Sequence, residues 1–222
     1  MAERERWATF DCYGTLIDWN GGIGDQLGRL FGPDARQRLL ARYHELEPEI
    51  QAERPTRSYR EVLTLALGRL AGEQGVDLAP GESVALPRSL PDWPVFPEVP
   101  AALRDARSGG WRLGILSNTD PDLIAASITR IGVPFDEVIA ASEIGSYKPA
   151  HGHWRAFEQR HGRPPDVHVA ASLFHDIGPT AELAVPSVWV NRLGEQRGTY
   201  RPTREIRDLG PLPDTLDELT AR

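Results

Sequence analysis

Short apolar runs, separated by stretches with helical character, are the feature that most limits how this chain can fold. Each run is nearly continuous in apolar residues, as expected for parallel strands that helices cover on both faces. The predicted strands are Trp7–Phe10, Arg112–Leu116, Glu137–Ala141, Val167–Ala171 and Ser187–Val190. Strands that alternate with helices predict an α/β protein with a doubly wound, Rossmann-like parallel sheet and right-handed crossovers.

Helical segments occupy the spaces between the later strands. Pro121–Ile131 follows Asp120, a candidate N-cap residue, and has proline in the first helical position. Two further segments, His153–Arg160 and Pro179–Ala184, have the same helical character. These segments supply the crossovers that a parallel sheet needs.

The stretch between the first and second strands is too long to be a loop. About ninety residues pass there with helical periodicity and no convincing strand. Arg36–Ile50 has a helical pattern, and Ser58–Leu70 opens with a capping box of Ser58 and Glu61. Prolines near residues 91–100 mark the return, and a second proline-rich stretch, 201–213, is predicted to be a connector. The prediction is a helical cap at 19–97 over a core made of 1–18 and 98–222.

Composition excludes several classes of partner and site. The net charge of −7 over 222 residues argues against a nucleic-acid-binding surface, which needs clustered positive charge. The single cysteine, Cys12, excludes an intramolecular disulfide and a cysteine-based zinc site. The sequence contains no apolar stretch of about 18 residues, so it predicts no membrane span. A cytoplasmic protein that binds neither membrane nor nucleic acid is expected.

Polar residues follow several of the predicted strands. In open α/β sheets, ligands bind beyond the carboxyl ends of the strands, near the point where strand order reverses. The candidate segments are Asp11-Cys12-Tyr13-Gly14-Thr15-Leu16, Ser117-Asn118, Tyr147-Lys148-Pro149 and Ser172-Leu173-Phe174-His175-Asp176. The sequence therefore predicts a site assembled from these four segments.

In this order, the four segments resemble the haloacid dehalogenase (HAD) superfamily of hydrolases. The resemblance covers nearly the whole chain, including the helical insert at the family's cap position. It implies that Asp11 is the nucleophile and that Asp176 is the late acidic residue. The physical chemistry agrees, because a buried aspartate is nucleophilic only while ionised and Lys148 supplies a cation that favours this form. Thr15, Ser117 and Asn118 offer hydroxyl and amide donors to the nucleophile or an anionic substrate.

Tyr13 distinguishes two kinds of chemistry. Phosphatases of this superfamily usually carry a second aspartate two residues after the nucleophile, which protonates the leaving alkoxide. Tyr13 stands at that position, and loss of a general acid should cost about 100- to 10,000-fold in rate. A halide needs no proton to leave. The motif Asp-x-Tyr-Gly-Thr-Leu also resembles the opening of the 2-haloacid dehalogenase branch.

The resemblance to that branch implies further substrate-binding and halide-binding residues. Arg42 falls where those enzymes place an arginine that receives the departing halide, and a guanidinium suits this task. Tyr59 falls at their neighbouring aromatic position, and Asn118 matches an asparagine of the same halide cradle. Tyr13 is expected to line the same site.

The sequence departs from the branch at several positions. Ala171 and Leu173 stand where the branch usually has serine and asparagine before the late aspartate, which leaves Ser172 as the nearest hydroxyl. Trp154 replaces a tyrosine six residues after the lysine and is assigned to the substrate-binding set. These positions serve the substrate carboxylate or the second-step water in the branch.

The expected reaction is displacement at C2 of a short 2-haloacid by Asp11, followed by hydrolysis of the ester with water near Asp176 and Lys148. This reaction needs no metal or other cofactor, and the partner is a small anionic substrate. One alternative is a Mg-dependent phosphatase in which Asp11, the carbonyl of Tyr13 and Asp176 hold the metal. Another is a binding protein of this fold whose chemistry has decayed. A homodimer is left open by the sequence.

Overall fold

The computed structural model describes residues 4–54 and 57–220, and in this part of the chain six parallel strands form one sheet. The strands are β1 (Arg6–Phe10), β2 (Trp111–Ser117), β3 (Glu137–Ala140), β4 (Val167–Ala170), β5 (Ser187–Val190) and β6 (Arg204–Ile206). Their order is β3-β2-β1-β4-β5-β6. The predicted doubly wound α/β fold is confirmed.

β1 lies at the centre of the sheet, at the point where the chain changes direction. It pairs with β2 from Arg6 opposite Trp111, and with β4 from Ala8 opposite Val167. On one side of β1 the chain adds β2 and then β3, and on the other side it adds β4, β5 and β6. Such a reversal opens a crevice beyond the carboxyl ends of the strands. Asp11, the residue after β1, therefore lies at this crevice.

Ten α-helices cover the sheet and form the segment between β1 and β2 in the described residues. They are α1 (Trp19–Phe31), α2 (Arg36–Glu53), α3 (Tyr59–Gln74), α4 (Ala85–Ser89), α5 (Val99–Ser108), α6 (Pro121–Ile131), α7 (Ala141–Ile144), α8 (Gly152–His161), α9 (Gly178–Glu182) and α10 (Leu212–Thr220). A π-helical turn, Leu173–Ile177, joins β4 to α9.

Helices α1 to α4 make up the helical insert. Its entry and exit run side by side, because the backbone N–H of Asp18 donates to the carbonyl of Pro94 and that of Phe96 donates to the carbonyl of Leu16. This pairing brings the insert back to the sheet beside its own start. The division into a cap at 19–97 and a core at 1–18 and 98–222 stays a prediction, and 1–3, 55–56 and 221–222 lie outside the described residues.

One segment differs from the sequence-based expectations, and a glycine-rich segment of the insert has a specific packing role. The proline-rich stretch 201–213 is more than a connector, because it contains β6, an edge strand of three residues with exposed charged side chains. Residues 21–24, a glycine-rich segment, lie inside α1. There the missing side chain of Gly22 lets the indole of Trp93 approach the helix, since a Cβ at Gly22 would lie 2.3 Å from that ring.

The N-terminus of α6 also differs in detail. The helix begins at Pro121 as predicted, but the carboxylate of Asp120 does not cap it. It accepts instead from the backbone N–H groups of Tyr59 and Arg60, both at 2.9 Å. Asp120 thus caps α3 of the helical insert, because a carboxylate satisfies the free N–H groups at a helix start.

One large hydrophobic core spans the sheet and the helical insert. A smaller cluster lies against another part of the sheet and consists of Trp7, Leu116, Ile139, Trp154 and Phe157. No helix in the described residues is both long and apolar enough to cross a membrane.

Candidate active site

A cavity of about 790 Å³ lies between the carboxyl ends of the strands and the helical insert. The core contributes Asp11, Tyr13, Ser117, Asn118, Lys148, Ser172 and Asp176 to its lining, and the insert contributes Trp19, Asn20, His44, Glu47, Pro48, Gln51 and Tyr59. Most of the site residues that were predicted because they follow strands therefore line this cavity.

Lys148 is the centre of the hydrogen-bond network. Its side chain is 1% exposed, and Nζ donates to Oδ1 of Asp11 at 2.8 Å and to Oδ1 of Asp176 at 2.7 Å. The third donor contacts the carbonyl of Leu116 at 2.8 Å. A buried ammonium is costly unless it is paired and fully hydrogen-bonded, and here all three of its donors have acceptors.

Both carboxylate oxygens of Asp11 accept hydrogen bonds. Thr15 Oγ1 donates to Oδ2 at 3.0 Å and in turn accepts from the backbone N–H of Ala171 at 2.9 Å. Burial raises the pKa of the Asp11 carboxyl, while the charge of Lys148 and the hydrogen bonds from Lys148 and Thr15 act in the opposite direction. Gly14, at φ 87°, makes the turn that returns Thr15 to the carboxylate.

Asp176 lies on the π-helical turn and is 1% exposed. Its Oδ1 contacts both Lys148 Nζ and His168 Nε2, the latter at 2.9 Å. Burial alone would raise the pKa of the Asp176 carboxyl, but the charge of Lys148 and the interaction with His168 outweigh it and hold the pKa well below its usual range. Asp176 is therefore ionised at neutral pH.

Sequence analysis missed His168. It is fully buried in β4, and its Nδ1 lies 2.9 Å from the hydroxyl of Thr9 in β1. A histidine inside an apolar parallel strand was the available signal, because a buried polar side chain needs hydrogen-bond partners.

Ser117 and Asn118 follow β2 and have different surroundings. The amide of Asn118 binds the backbone of Lys148 twice, with Nδ2 donating to the carbonyl at 3.0 Å and Oδ1 accepting from the N–H at 2.7 Å. Asn118 thereby positions the lysine. The hydroxyl of Ser117 is buried and has no hydrogen-bond partner among the described residues, so it can serve a bound ligand.

Aromatic side chains form the wall next to Tyr13. Its ring stacks on Tyr59 with centroids 6.0 Å apart and meets Trp93 edge to face at 5.8 Å. Its hydroxyl pairs with Ser127 Oγ of α6 at 3.1 Å. Burial raises the pKa of the Tyr13 phenol, which makes it a poorer acid. The hydroxyl of Tyr59 accepts from Trp19 Nε1 at 3.0 Å.

Ser172 Oγ accepts from the backbone N–H of His175 at 3.0 Å and caps the π-helical turn that carries Asp176. The hydroxyl also lies 3.2 Å from Nδ1 of the His175 ring. Ser172 therefore lines the cavity as predicted and also holds this turn in place.

The structure does not bring Arg42 to the site. Its guanidinium donates to Glu73 of α3 and to Glu45, both at 2.8 Å, on the outer surface of the insert. Arg42 and Glu47 are five residues apart, which places them about 140° apart around a helix. Because α2 turns Glu47 towards the cavity, it turns Arg42 away. The helical pattern identified α2 but did not determine which face meets the sheet.

Trp154 is also absent from the cavity lining. It is 2% exposed and belongs to the smaller hydrophobic cluster, where its ring meets His168 edge to face at 5.3 Å. The position six residues after Lys148 lies in the first turn of α8, and its side chain packs against the strands of the sheet. Trp154 therefore contacts a partner of Asp176 and does not line the ligand cavity.

Arg192 is a cation of the cavity lining that sequence analysis missed. It follows β5, so the same strand-end rule would have found it. Its guanidinium lies 3.7 Å from the ring centre of Phe96, pairs with Glu98 at 2.7 Å and donates to the carbonyl of Thr15 at 2.8 Å. These contacts tie the loop after β1 to the exit of the helical insert.

The phosphatase alternative needs Mg²⁺ held by two carboxylates, those of Asp11 and Asp176, and by the carbonyl of Tyr13. Lys148 contacts Oδ1 of both Asp11 and Asp176, and Thr15 donates to the other oxygen of Asp11. Within 4–54 and 57–220, no cluster of three or more His, Cys, Asp or Glu side chains could hold a metal ion. In this arrangement the two carboxylates share the lysine cation through their Oδ1 atoms.

These features define a Rossmann-like α/β fold with a buried carboxylate–lysine centre beneath helices. A family model for haloacid dehalogenase-like hydrolases matches residues 6–170. The chain belongs to this family.

Related proteins support the same grouping. The chain is 28% identical to (S)-2-haloacid dehalogenase H-109 of Pseudomonas putida, over 93% of this chain and 96% of that one. Its fold is similar to an L-2-haloacid dehalogenase at a TM-score of 0.85 and 23% identity, covering 97% and 100% of the two chains. It is also similar to the L-2-haloacid dehalogenase of Xanthobacter autotrophicus with chloropropionic acid covalently bound, at a TM-score of 0.82 and 19% identity, covering 96% and 98%.

Proposed function

We propose that this protein hydrolyses short 2-haloacids to 2-hydroxyacids, with the Asp11 carboxylate as nucleophile and without a metal ion. The observation that carries the proposal is the contact of Asp11 with Lys148 and Thr15 on the floor of the cavity. The names of the related enzymes support the choice of substrate.

In the first step, a carboxylate oxygen of Asp11 attacks C2 of the substrate. A C–O bond forms, the carbon–halogen bond breaks, and the halide leaves with the bonding electron pair. No proton moves in this step, which agrees with the presence of Tyr13 where a phosphatase would carry an acid. The Lys148 ammonium keeps Asp11 ionised before attack.

In the second step, water attacks the carbonyl carbon of the Asp11 ester. The water oxygen bonds to that carbon, and the acyl C–O bond breaks. The oxygen attached to C2 takes one proton from the water and leaves as the hydroxyl of the product. The other proton is released, and Asp11 regains a carboxylate that contains one oxygen from water. Asp176 is suited to orient this water, because Lys148 and His168 occupy only its Oδ1. Lys148 lies close enough to stabilise negative charge that develops at the ester carbonyl.

The hydroxyl of Ser117 supports binding of the substrate carboxylate. It lines the cavity and has no partner among the described residues. A buried hydroxyl without a partner costs free energy that a bound anion would recover. Arg42 has no place in this proposal, since its ion pairs hold it on the outer surface.

The proposal is tested by measuring halide release from chloroacetate and from each enantiomer of 2-chloropropionate, with EDTA and with Mg²⁺. Hydrolysis of p-nitrophenyl phosphate is measured in parallel. We expect halide release that EDTA does not abolish and weak phosphatase activity. Phosphatase activity that depends on Mg²⁺, without halide release, would favour the phosphatase alternative. Absence of both activities would favour the decayed binding protein.

The covalent step has its own test. With enzyme in excess over substrate in H₂¹⁸O, ¹⁸O should enter the peptide that contains Asp11 and not the product. Label in the product after a single turnover would show direct attack by water. An Asp11→Asn variant should not form the ester. The Asp25→Asn variant, altered at an exposed aspartate of α1, is its matched control and should still form it.

A further inference from the structure

Glu47 lies in the wall of the cavity that the helical insert provides. It belongs to α2, is 8% exposed and shares the cavity lining with Asp11. Its Oε1 accepts from Gln51 Nε2 at 3.4 Å, and the phenol of Tyr59 acts to lower the pKa of this carboxyl. Among the ion pairs of the described residues, none includes Glu47.

A buried carboxylate without a cation is unfavourable, so such a group takes up a proton. The negative charge of Asp11 across the cavity acts in the same direction. Burial, followed by this charge, raises the pKa of Glu47 to about 8, against the opposing effect of Tyr59. Because Gln51 donates to Oε1, the other carboxyl oxygen is the one available to carry the proton.

We propose that protonated Glu47 donates its O–H hydrogen bond to the halide that departs from the substrate, in place of a cationic halide site. The inference rests on the proposed function and identifies a neutral anion subsite made by Glu47 and its neighbour Gln51. The Asp11 carboxylate attacks from one side of the cavity, and the halide leaves towards the insert with both bonding electrons. Glu47 keeps its proton throughout, so the step is balanced without proton transfer.

A neutral donor makes the subsite sensitive to pH in a way that arginine would not. When Glu47 ionises, its hydrogen-bond donor is lost and a second negative charge faces the cavity. Coulomb repulsion in a site of low dielectric then opposes both the halide and the anionic substrate. Binding of anions should therefore weaken as the pH rises through the pKa of Glu47.

Most other titratable groups around Glu47 change charge at pH values away from the pKa of Glu47. Burial lowers the pKa of His44 and of His175, so both are neutral in alkaline solution. The remaining groups have raised pKa values: Tyr13, Tyr43, Tyr59 and Tyr147, the thiol of Cys12, and the ammonium of Lys148. Asp176 is ionised throughout. Burial also raises the pKa of the Asp11 carboxyl, against the charge of Lys148. The Glu47→Gln variant separates the two carboxyls, because it leaves Asp11 unchanged.

The experiment titrates sodium bromide into the protein at constant ionic strength and follows tryptophan fluorescence, since Trp19 lines the cavity. In the wild type we expect bromide affinity to fall about tenfold between pH 6.5 and pH 9, where about nine-tenths of the carboxyl is ionised. Glu47→Gln keeps a neutral donor at every pH and should bind bromide with little pH dependence. Glu49→Gln, an exposed site on the same helix, should behave as the wild type.

Bromide affinity that is equal at both pH values in the wild type, or absent at both, would overturn the inference. So would the wild-type pH dependence in Glu47→Gln. If that variant does not fold, ¹³C NMR of the wild-type carboxyl decides: a midpoint near 8 supports the inference and one near 4.5 overturns it. Bromide binding does not require turnover. Failure to release halide from any haloacid would therefore overturn the proposed function while a pH-dependent bromide site still supported the subsite.

Discussion

His168 Nε2 lies 2.9 Å from Oδ1 of Asp176, inside the sheet and out of contact with solvent. With Nε2 as the donor, Nδ1 accepts from the hydroxyl of Thr9 at 2.9 Å. The imidazole thus links the central strand to the acidic residue of the proposed second step. Since Lys148 contacts the same oxygen, the two partners together fix how the carboxylate faces the cavity.

His168→Leu should slow hydrolysis of the ester more than its formation, because Asp176 would lose one of the two contacts that orient it. We expect a burst of halide close to one equivalent per enzyme and a steady state about tenfold slower or more. Mass spectrometry should find the Asp11 peptide carrying the substrate acyl group. His151→Gln, on the surface beside Glu182, should show no such accumulation. Equal slowing of both steps would indicate a general loss of structure.

Asp11→Asn should abolish halide release while the melting temperature stays close to that of the wild type. An amide is a poor nucleophile, but it fits the same space and can still accept from Thr15 or Lys148. Rapid chemical quench with 2-chloropropionate measures the rate directly. Retention of more than about a tenth of the wild-type rate would remove Asp11 from the nucleophilic role.

Arg42→Ala should leave halide release within about twofold of the wild type, because surface ion pairs such as those with Glu73 and Glu45 contribute little. A halide cradle built on Arg42 instead predicts a loss of about a hundredfold. Single-turnover rates for the variant and the wild type distinguish the two. A large loss would show that Arg42 reaches the substrate in another conformation of the insert.

Asp120→Ala should destabilise the protein by about 2 kcal/mol, since it leaves the first N–H groups of α3 without their acceptor. The effect connects the core to the helical insert, because Asp120 precedes α6 and accepts from Tyr59 and Arg60. Asp122→Ala, at an exposed position that pairs with Arg60, is the control and should change the free energy of unfolding much less. Urea denaturation gives both values, and similar losses would contradict the capping role.

Glu47→Gln should become more stable relative to the wild type as the pH rises from 5 to 8. Folded Glu47 keeps its proton up to a pKa of about 8, whereas in the unfolded chain this proton dissociates near pH 4.5. The folded state therefore binds more protons in this interval, and wild-type stability falls as the pH rises. We expect the difference between the two proteins to grow by about 3–4 kcal/mol in urea denaturation. A difference that stays constant with pH would mean that Glu47 is ionised in the folded state.

The sequence by itself determined the sheet and most of the residues at its carboxyl edge. Buried parallel strands leave apolar runs that can be recognised locally, and the polar residues that follow them must meet at one edge. Asp11, Ser117, Lys148 and Asp176 were found in this way. The missed strand β6 is three residues long, lies at the edge and has exposed charged side chains, so it carries no apolar pattern to recognise.

Only the tertiary structure decided which side chains of the helical insert face the cavity. The weak amphipathicity of α2 allowed either Arg42 or Glu47 to point inwards, and the choice depends on how the helix packs against α1 and α3. Likewise, the spacing from Lys148 gave the position of Trp154 but not its burial beside His168. A helix can be predicted from contacts within a few residues, whereas its rotation about its own axis is set by contacts with residues distant in sequence.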